Sequence, residues 1–305
     1  MRTAVISHPH CRKHKMIDDH PECPERLDAI ADRLLASGVD IGLTHLQAPK
    51  AQREHYLLAH DESLVNLVER LVPEQGLHNL DGDTWLCPDS FKAVERAVGA
   101  GLLAVDEILA DKLDAAFCAV RPPGHHANAH ASSGFCVFNN LAIAVKYAQS
   151  KGIKRIAIAD FDVHHGNGTQ DIFINDENIL LCSLFQYPFY PNTAVKNNSH
   201  IVNSPLPIAS SGDDLKEVFN TQWLPKLKAF KPELLFISAG FDAHLEDDMA
   251  SLKFVEDDYS WLTEQLCDVA KESGCKGVIS HLEGGYALSA LGRSAVAHIK
   301  VLSEY

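Results

Sequence analysis

The chain has 305 residues, 46% of them hydrophobic and 22% charged, and a formal net charge of −14. That size and balance allow a large buried core, while the negative charge disfavours nonspecific binding to nucleic acid or to an anionic membrane. The N-terminal apolar run is too short for a signal peptide, and no stretch approaches the ~20 apolar residues of a membrane span. The eight cysteines are scattered without a Cys-x-x-Cys pair, which favours buried reduced thiols over a disulfide framework. A cytoplasmic protein is expected, and with nothing resembling a linker, residues 1–305 read as one domain.

Strands and helices alternate for most of the length. Thr3 to Ser7 reads as a strand, followed by a histidine-rich loop from His8 to His20 and a helix starting near Pro24. Residues 61–71 and 90–110 are predicted amphipathic helices, the second opening at Asp89-Ser90, where a side-chain oxygen can cap it. Strands at 115–120, 155–161, 179–184, 234–239 and 277–281 then alternate with helices at 139–149, 213–229, 257–273 and 289–303. This is the pattern of an α/β fold, a doubly wound, mostly parallel sheet covered on both faces. Ligands of such sheets bind beyond the carboxyl ends of the strands.

The most informative stretch lies at one such end. Ile156 to Ala159 is a short apolar run that reads as a buried strand, and it breaks into Asp160-Phe-Asp-Val-His-His-Gly-Asn-Gly-Thr-Gln170. If extended geometry continues, the period of two puts Asp160, Asp162 and His164 on one side. Asp162 and His164 can then grip one cation, and an oxygen with an imidazole nitrogen suits Zn(II), Fe(II), Co(II) or Mn(II). A catalytic centre needs about three protein ligands and a free position for water.

Three other strand ends carry reactive side chains: Arg121-Pro-Pro-Gly-His125-His126, Gly240-Phe-Asp242-Ala-His244 and Leu282-Glu-Gly-Gly-Tyr286. Asp242 is a reasonable third ligand, because an acid at the end of an apolar strand is costly to bury without a partner. His125 and His126 offer a general base and an electrostatic partner, and Tyr286 follows two glycines as an acid set by a turn. Taken singly, each of these is more often a cap or a satisfied polar group; four strand ends together reverse that balance. The remaining histidines read mostly as surface or loop groups, and Glu246-Asp247-Asp248 as a solvated loop.

In order along the chain, Arg121-Pro-Pro-Gly-His-His-Ala, Gly134-Phe-Cys-Val-Phe-Asn-Asn, Asp160 to Gln170, Ser238-Ala-Gly-Phe-Asp and Glu283-Gly-Gly-Tyr resemble the motif set of the zinc-dependent histone deacetylase superfamily. The resemblance runs from His20-Pro-Glu-Cys-Pro-Glu-Arg26 to the last helix. Asn167, where class I enzymes carry Asp, makes the chain more similar to class II deacetylases and their bacterial relatives, including acetylpolyamine amidohydrolases. The implied fold is the arginase/deacetylase fold. The resemblance implies Zn(2+) held by Asp162, His164 and Asp242, with His126 as the general base and then acid. His125 paired with Asp160 is implied as electrostatic partner, Asn167 as the group facing His126, and Tyr286 as stabiliser of the oxyanion. It also implies an inner K(+) site at Asp160, Asp162, His164, Ser183 and Leu184. Gly134-Phe135 and Tyr190 match the walls of an acyl-lysine tunnel, and Asp83 a rim residue that accepts from the substrate backbone.

The expected substrate is an acylated lysine in a peptide or protein, or a small acylated amine. Polyamine deacetylation would favour an acid at the tunnel mouth, yet the gatekeeper position of the eukaryotic polyamine enzyme corresponds to Met249; Glu246, Asp247 and Asp248 are the acids left to attract a cation. A binuclear manganese ureohydrolase would want more carboxylates where His165 and Gly166 stand. A noncatalytic family member would have lost the metal ligands or the tyrosine. Oligomeric state is left open.

Overall fold

The computed structural model of the protein describes residues 2–193 and 195–305. In chain order the elements are β1 (Thr3–Ser7), α1 (Glu25–Ser37), β2 (Thr44–Gln47), α2 (Arg53–Tyr56), α3 (Glu62–Leu71), β3 (His78–Asn79), β4 (Trp85–Leu86), α4 (Ser90–Leu109), β5 (Ala115–Cys118) and α5 (Asn140–Ser150). There follow β6 (Ile156–Asp160), α6 (Asn167–Phe173), β7 (Ile179–Gln186), β8 (Ile201–Leu206), α7 (Gly212–Val218), α8 (Leu224–Phe230), β9 (Leu234–Ala239), α9 (Glu256–Ser273), β10 (Val278–Leu282) and α10 (Leu288–Glu304).

Eight strands form one sheet in the order β2-β1-β5-β10-β9-β6-β7-β8, and every pairing within it is parallel. Helices α1, α9 and α10 pack together, as do α4 and α5. Neighbouring residues on β10 show that these groups cover opposite faces: Ser280 meets His298 of α10 at 2.8 Å, whereas His281 lies against Gly101 of α4. Covered on both sides, the central strands are buried throughout and mostly apolar, as the β6 run Ile156–Ala159 illustrates. The expected doubly wound, parallel α/β architecture is therefore the one adopted.

Several short elements were not expected from the sequence. The edge strands β2 and β8 gain order from their neighbours β1 and β7, a nonlocal effect that local propensity cannot carry. The β3–β4 hairpin and the short helices α2 and α6 are likewise too short for periodicity to mark them. The expected helix 213–229 is interrupted by a π turn at Phe219–Trp223. Pro225 follows that turn, and a proline in a helix interior removes a hydrogen bond and clashes with the preceding turn. Asp89 stands at the start of α4 but makes no side-chain cap; its carboxylate binds Lys92 instead. All eight cysteines are free thiols.

The sheet order matters most for the site. Strands β5, β10, β9 and β6, whose ends carry the four reactive segments, are consecutive neighbours at the centre of the sheet. The chain passes from β5 to β6 and only later fills the gap between them with β9 and β10. That reversal opens the crevice in which parallel α/β sheets bind ligands.

Candidate active site

Beyond β6 the backbone does not stay extended: the strand stops at Asp160. The Asp160 carboxylate accepts from the Asp162 N–H at 3.1 Å, and the Asp162 carboxylate accepts from the His164 N–H at 2.9 Å. Two successive side-chain-to-backbone turns thus replace the expected period of two. Asp162 and His164 still converge, and Asp242 joins them from the end of β9. One donor atom from each of the three lies within 4.8 Å of the others, and all three residues are buried.

His164 Nδ1 stands 3.1 Å from Asp162 Oδ1 and 3.2 Å from Asp242 Oδ2. Burial opposes charge on this imidazole, yet Asp162 and Asp242 push its pKa up to about 9. Asp242 Oδ1 accepts from Val163 N–H at 3.0 Å, while Oδ2 is buried without a hydrogen-bond partner. Burial, then the neighbouring Asp162, raises the Asp242 pKa to about 6. Two carboxylates and an imidazole nitrogen facing one point, with one buried oxygen unpartnered, are a donor set that calls for a divalent cation. Nearby glycines keep the space clear: a Cβ on Gly284 would lie 2.0 Å from Asp242 Oδ2, and one on Gly240 2.1 Å from Asp162 Oδ2.

The two histidines after β5 sit beside this cluster with ring centroids 4.0 Å apart and different partners. His125 Nδ1 is 3.1 Å from Asp160 and its Nε2 is 3.7 Å from Asp162. Burial works against its charge, but Asp162 and Asp160 outweigh it and raise the pKa to about 10. His126 Nδ1 lies 2.8 Å from Asn167 Oδ1. Burial, and then the imidazoles of His125 and His164, hold His126 well below the usual histidine range. The two rings thus differ: the acids beside His125 favour its charged form, whereas burial and the neighbouring imidazoles favour the neutral form of His126.

Tyr286 follows β10. Burial pushes its hydroxyl well above the usual tyrosine range, opposed mainly by Arg26, whose guanidinium lies 4.9 Å over the ring. Phe135 stands edge-on to Tyr286 at 5.9 Å, and Tyr190 edge-on to His126 at 5.2 Å. Gly134 is pressed against the His126 ring: its φ is +55°, and a Cβ there would lie 2.4 Å from His126 Cδ2 and 3.0 Å from the Tyr190 hydroxyl. Asp83 is half-buried in the β3–β4 turn. Thr84 donates to it and also accepts from the Phe135 N–H at 3.0 Å, linking the turn to the Phe135 loop. Ser183 is directly opposite Asp160 across the β6–β7 pairing, and its hydroxyl is buried without a partner; Leu184 beside it is fully buried.

Several residues that support these groups were missed. Glu283 accepts from the N–H groups of Gly124 and His125 at 2.7 and 3.0 Å. Glu22 binds Arg121 and Arg26, all three fully buried. Phe189 stacks on His164 at 5.4 Å. Glu22 and Arg26 stand four residues apart across the start of α1, the one local signal that points to this network. The acidic run is a solvated loop only in part: Glu246 and Asp248 are exposed, the former pairing with Arg293 at 2.6 Å, but Asp247 is buried. Of the eleven histidines other than His125, His126, His130, His164, His165 and His244, most are surface or loop groups as expected; His14, His60 and His200 are buried within loops, and only His281 and His298 are buried within a strand or helix. A cavity of about 560 Å³ between α1 and the β1–β2 edge is lined by none of the cluster residues, so side-chain chemistry locates the site here and cavity size does not.

A buried carboxylate–imidazole cluster, an adjacent neutral imidazole and a tyrosine hydroxyl, all at the carboxyl ends of a parallel sheet, define a metal-dependent hydrolase. Residues 20–302 match the histone deacetylase domain. A probable deacetylase of Archaeoglobus fulgidus is 35% identical, the alignment covering 94% of this chain and 82% of that one. The polyamine deacetylase HDAC10 of Mus musculus is 34% identical over 99% of this chain and 48% of its own length. The crystal structure of the HDA15 HD domain superposes with a TM-score of 0.93 at 33% identity, covering 99% of this chain and 88% of that one. The chain belongs to the histone deacetylase family and is a hydrolase of the deacetylase type, for which zinc dependence is typical. None of the helices among the described residues is long and apolar enough to cross a membrane.

Proposed function

We propose that residues 1–305 form a single catalytic domain that hydrolyses the amide of an acylated lysine-like amine, with lysine in a peptide or protein as the preferred substrate. The observation that carries this reading is the buried Asp162–His164–Asp242 cluster with its unpartnered Asp242 oxygen beside a neutral His126. These three residues would hold zinc, which when bound activates a water and polarises the acyl carbonyl. His126 donates its Nδ1–H to Asn167, leaving Nε2 free to take the proton of the attacking water and then pass it to the leaving amine. His125, kept protonated by Asp162 and Asp160, supplies positive charge beside the developing oxyanion. Tyr286 stays protonated and donates a hydrogen bond to that oxyanion. Phe135 and Tyr190 wall the approach, Gly134 lets it pass close to His126, and Asp83 at the rim accepts from the substrate backbone. The buried, unpartnered Ser183 hydroxyl beside Asp160 supports a potassium site formed with Asp162, His164 and Leu184. The buried free thiols fit a reducing cytoplasm.

Peptide is preferred to free polyamine because two of the three acids in the Glu246-Asp247-Asp248 run are committed elsewhere: Glu246 to Arg293, and Asp247 to backbone N–H groups. Tyr286→Phe should retain zinc and lose roughly 10²-fold to 10³-fold in turnover. Turnover of the zinc-loaded enzyme on acetyl-lysine peptides, longer acyl-lysine peptides and N-acetylated putrescine and spermidine tests the substrate. Faster hydrolysis of the free polyamines would overturn the peptide preference, and full activity of Tyr286→Phe would overturn the role of Tyr286.

A further inference from the structure

Asp247 lies five residues after Asp242, in the loop that leaves β9, and is 5% exposed. Its Oδ2 accepts from the N–H groups of Tyr286 at 2.6 Å and Ala287 at 2.9 Å, and its Oδ1 accepts from the Met249 N–H at 3.0 Å. A carboxylate accepting three backbone donors is a strong clamp, because charge-assisted hydrogen bonds are short and roughly twice the strength of neutral ones. The loop is itself anchored. Asp247 N–H donates to the His244 carbonyl at 2.9 Å, Glu246 N–H to His244 Nδ1 at 3.1 Å, and Arg293 of α10 bridges Glu246 and Glu256. The clamped backbone needs such help. Tyr286 follows Gly284 and Gly285, the latter at φ +116°, a pair with more backbone freedom to lose than any other residues.

We propose that Asp247 is a positioning residue for Tyr286: its carboxylate fixes the backbone from which the oxyanion-stabilising hydroxyl projects. The inference rests on the catalytic role assigned to Tyr286 above. Asp247 touches no reacting atom. It ties the end of β10 to the loop carrying the Asp242 ligand, so the hydroxyl and the metal are set against one frame. Donor placement matters steeply, since a displacement of about 1 Å can cost ~10²-fold in rate.

Asn at this position keeps the shape but offers one acceptor oxygen where two are used, so at least one donor is left facing an amide N–H. The test is a cycle of wild type, Asp247→Asn, Tyr286→Phe and the double variant, read as kcat, KM and zinc content on one acetyl-lysine peptide. Asp247→Asn should lower kcat roughly tenfold or more, leave KM within about twofold and leave zinc content unchanged. Once Tyr286→Phe has removed the hydroxyl, adding Asp247→Asn should lower the residual kcat by less than about twofold. Equal losses in both backgrounds, or no loss in wild type, would overturn the proposal; undiminished turnover of Tyr286→Phe alone would instead overturn the underlying role of the tyrosine. If Asp247→Asn does not fold, Ala287→Pro takes its place in the same cycle. It removes one donor to Oδ2 at a φ of −72°, which suits proline, and should show a smaller loss of kcat that again vanishes in the Tyr286→Phe background.

Discussion

Replacing Glu22 by Gln should destabilise the protein by about 3 kcal/mol at neutral pH, an expectation reached by two routes. Glu22, Arg26 and Arg121 are fully buried. The carboxylate accepts from Arg121 Nε and Nη2, the latter at 2.6 Å, and from Arg26 Nη1 at 3.1 Å. Burial works against its charge, yet Arg121 and then Arg26 outweigh it and hold the carboxyl at about 2, against an ordinary 4.5. By linkage, a depression of that size corresponds to about 3 kcal/mol. Independently, removing one partner of a buried ion pair typically costs ~3–5 kcal/mol. The sign with pH follows from the lowered pKa: this stabilisation is complete above the ordinary carboxyl range and is lost as pH falls from about 4.5 towards 2. Urea unfolding of the two proteins, both kept metal-free with a chelator, should show the full difference between wild type and variant at pH 7 and about half of it at pH 3. A difference below ~1 kcal/mol at pH 7, or one that does not shrink on acidification, would refute the reasoning. Arg26 also donates to the Gly285 and Glu283 carbonyls and covers the Tyr286 ring, so some loss of turnover should accompany the loss of stability.

Gly134→Ala combines a φ of +55° with a Cβ 2.4 Å from the His126 ring. It should cost ~1–2 kcal/mol in backbone strain and, by displacing the ring of the proposed base His126, roughly 10²-fold in kcat; near-normal kcat in a folded variant would show that the ring can yield. Asn167→Asp places a carboxylate against His126 Nδ1, which raises the imidazole pKa and moves the acid limb of kcat/KM to higher pH. A pH–rate profile superimposable on wild type would remove His126 from that limb.

Residues whose role depends on local chemistry were legible before any coordinates. Asp162, His164, Asp242, His125, His126 and Tyr286 announce themselves as polar groups at the ends of apolar strands, and the structure gathers them in one crevice. The detail of their approach was not legible. Asp162 and His164 meet through two side-chain-to-backbone turns, because the β6 strand ends at Asp160 and the carboxylates capture the following N–H groups. Asp247 reads as one of three solvated acids, since nothing near it in sequence reveals that Tyr286, 39 residues on, will present its N–H there. His14 is the loop histidine expected, but nothing near it in sequence names its partner, Ser90, 76 residues away.

By itself the sequence determined the alternation of strands and helices, the apolar faces and the chemical identity of the reactive groups, because periodicity and side-chain type act over a few residues. Only the tertiary structure decided which strand ends are neighbours. The order β5-β10-β9-β6 brings together residues 125, 286, 242 and 162, and the buried acids Glu22, Asp247 and Glu283 find their donors across that order. Those contacts lie far apart along the chain, and the free energy that selects them belongs to the packed sheet as a whole.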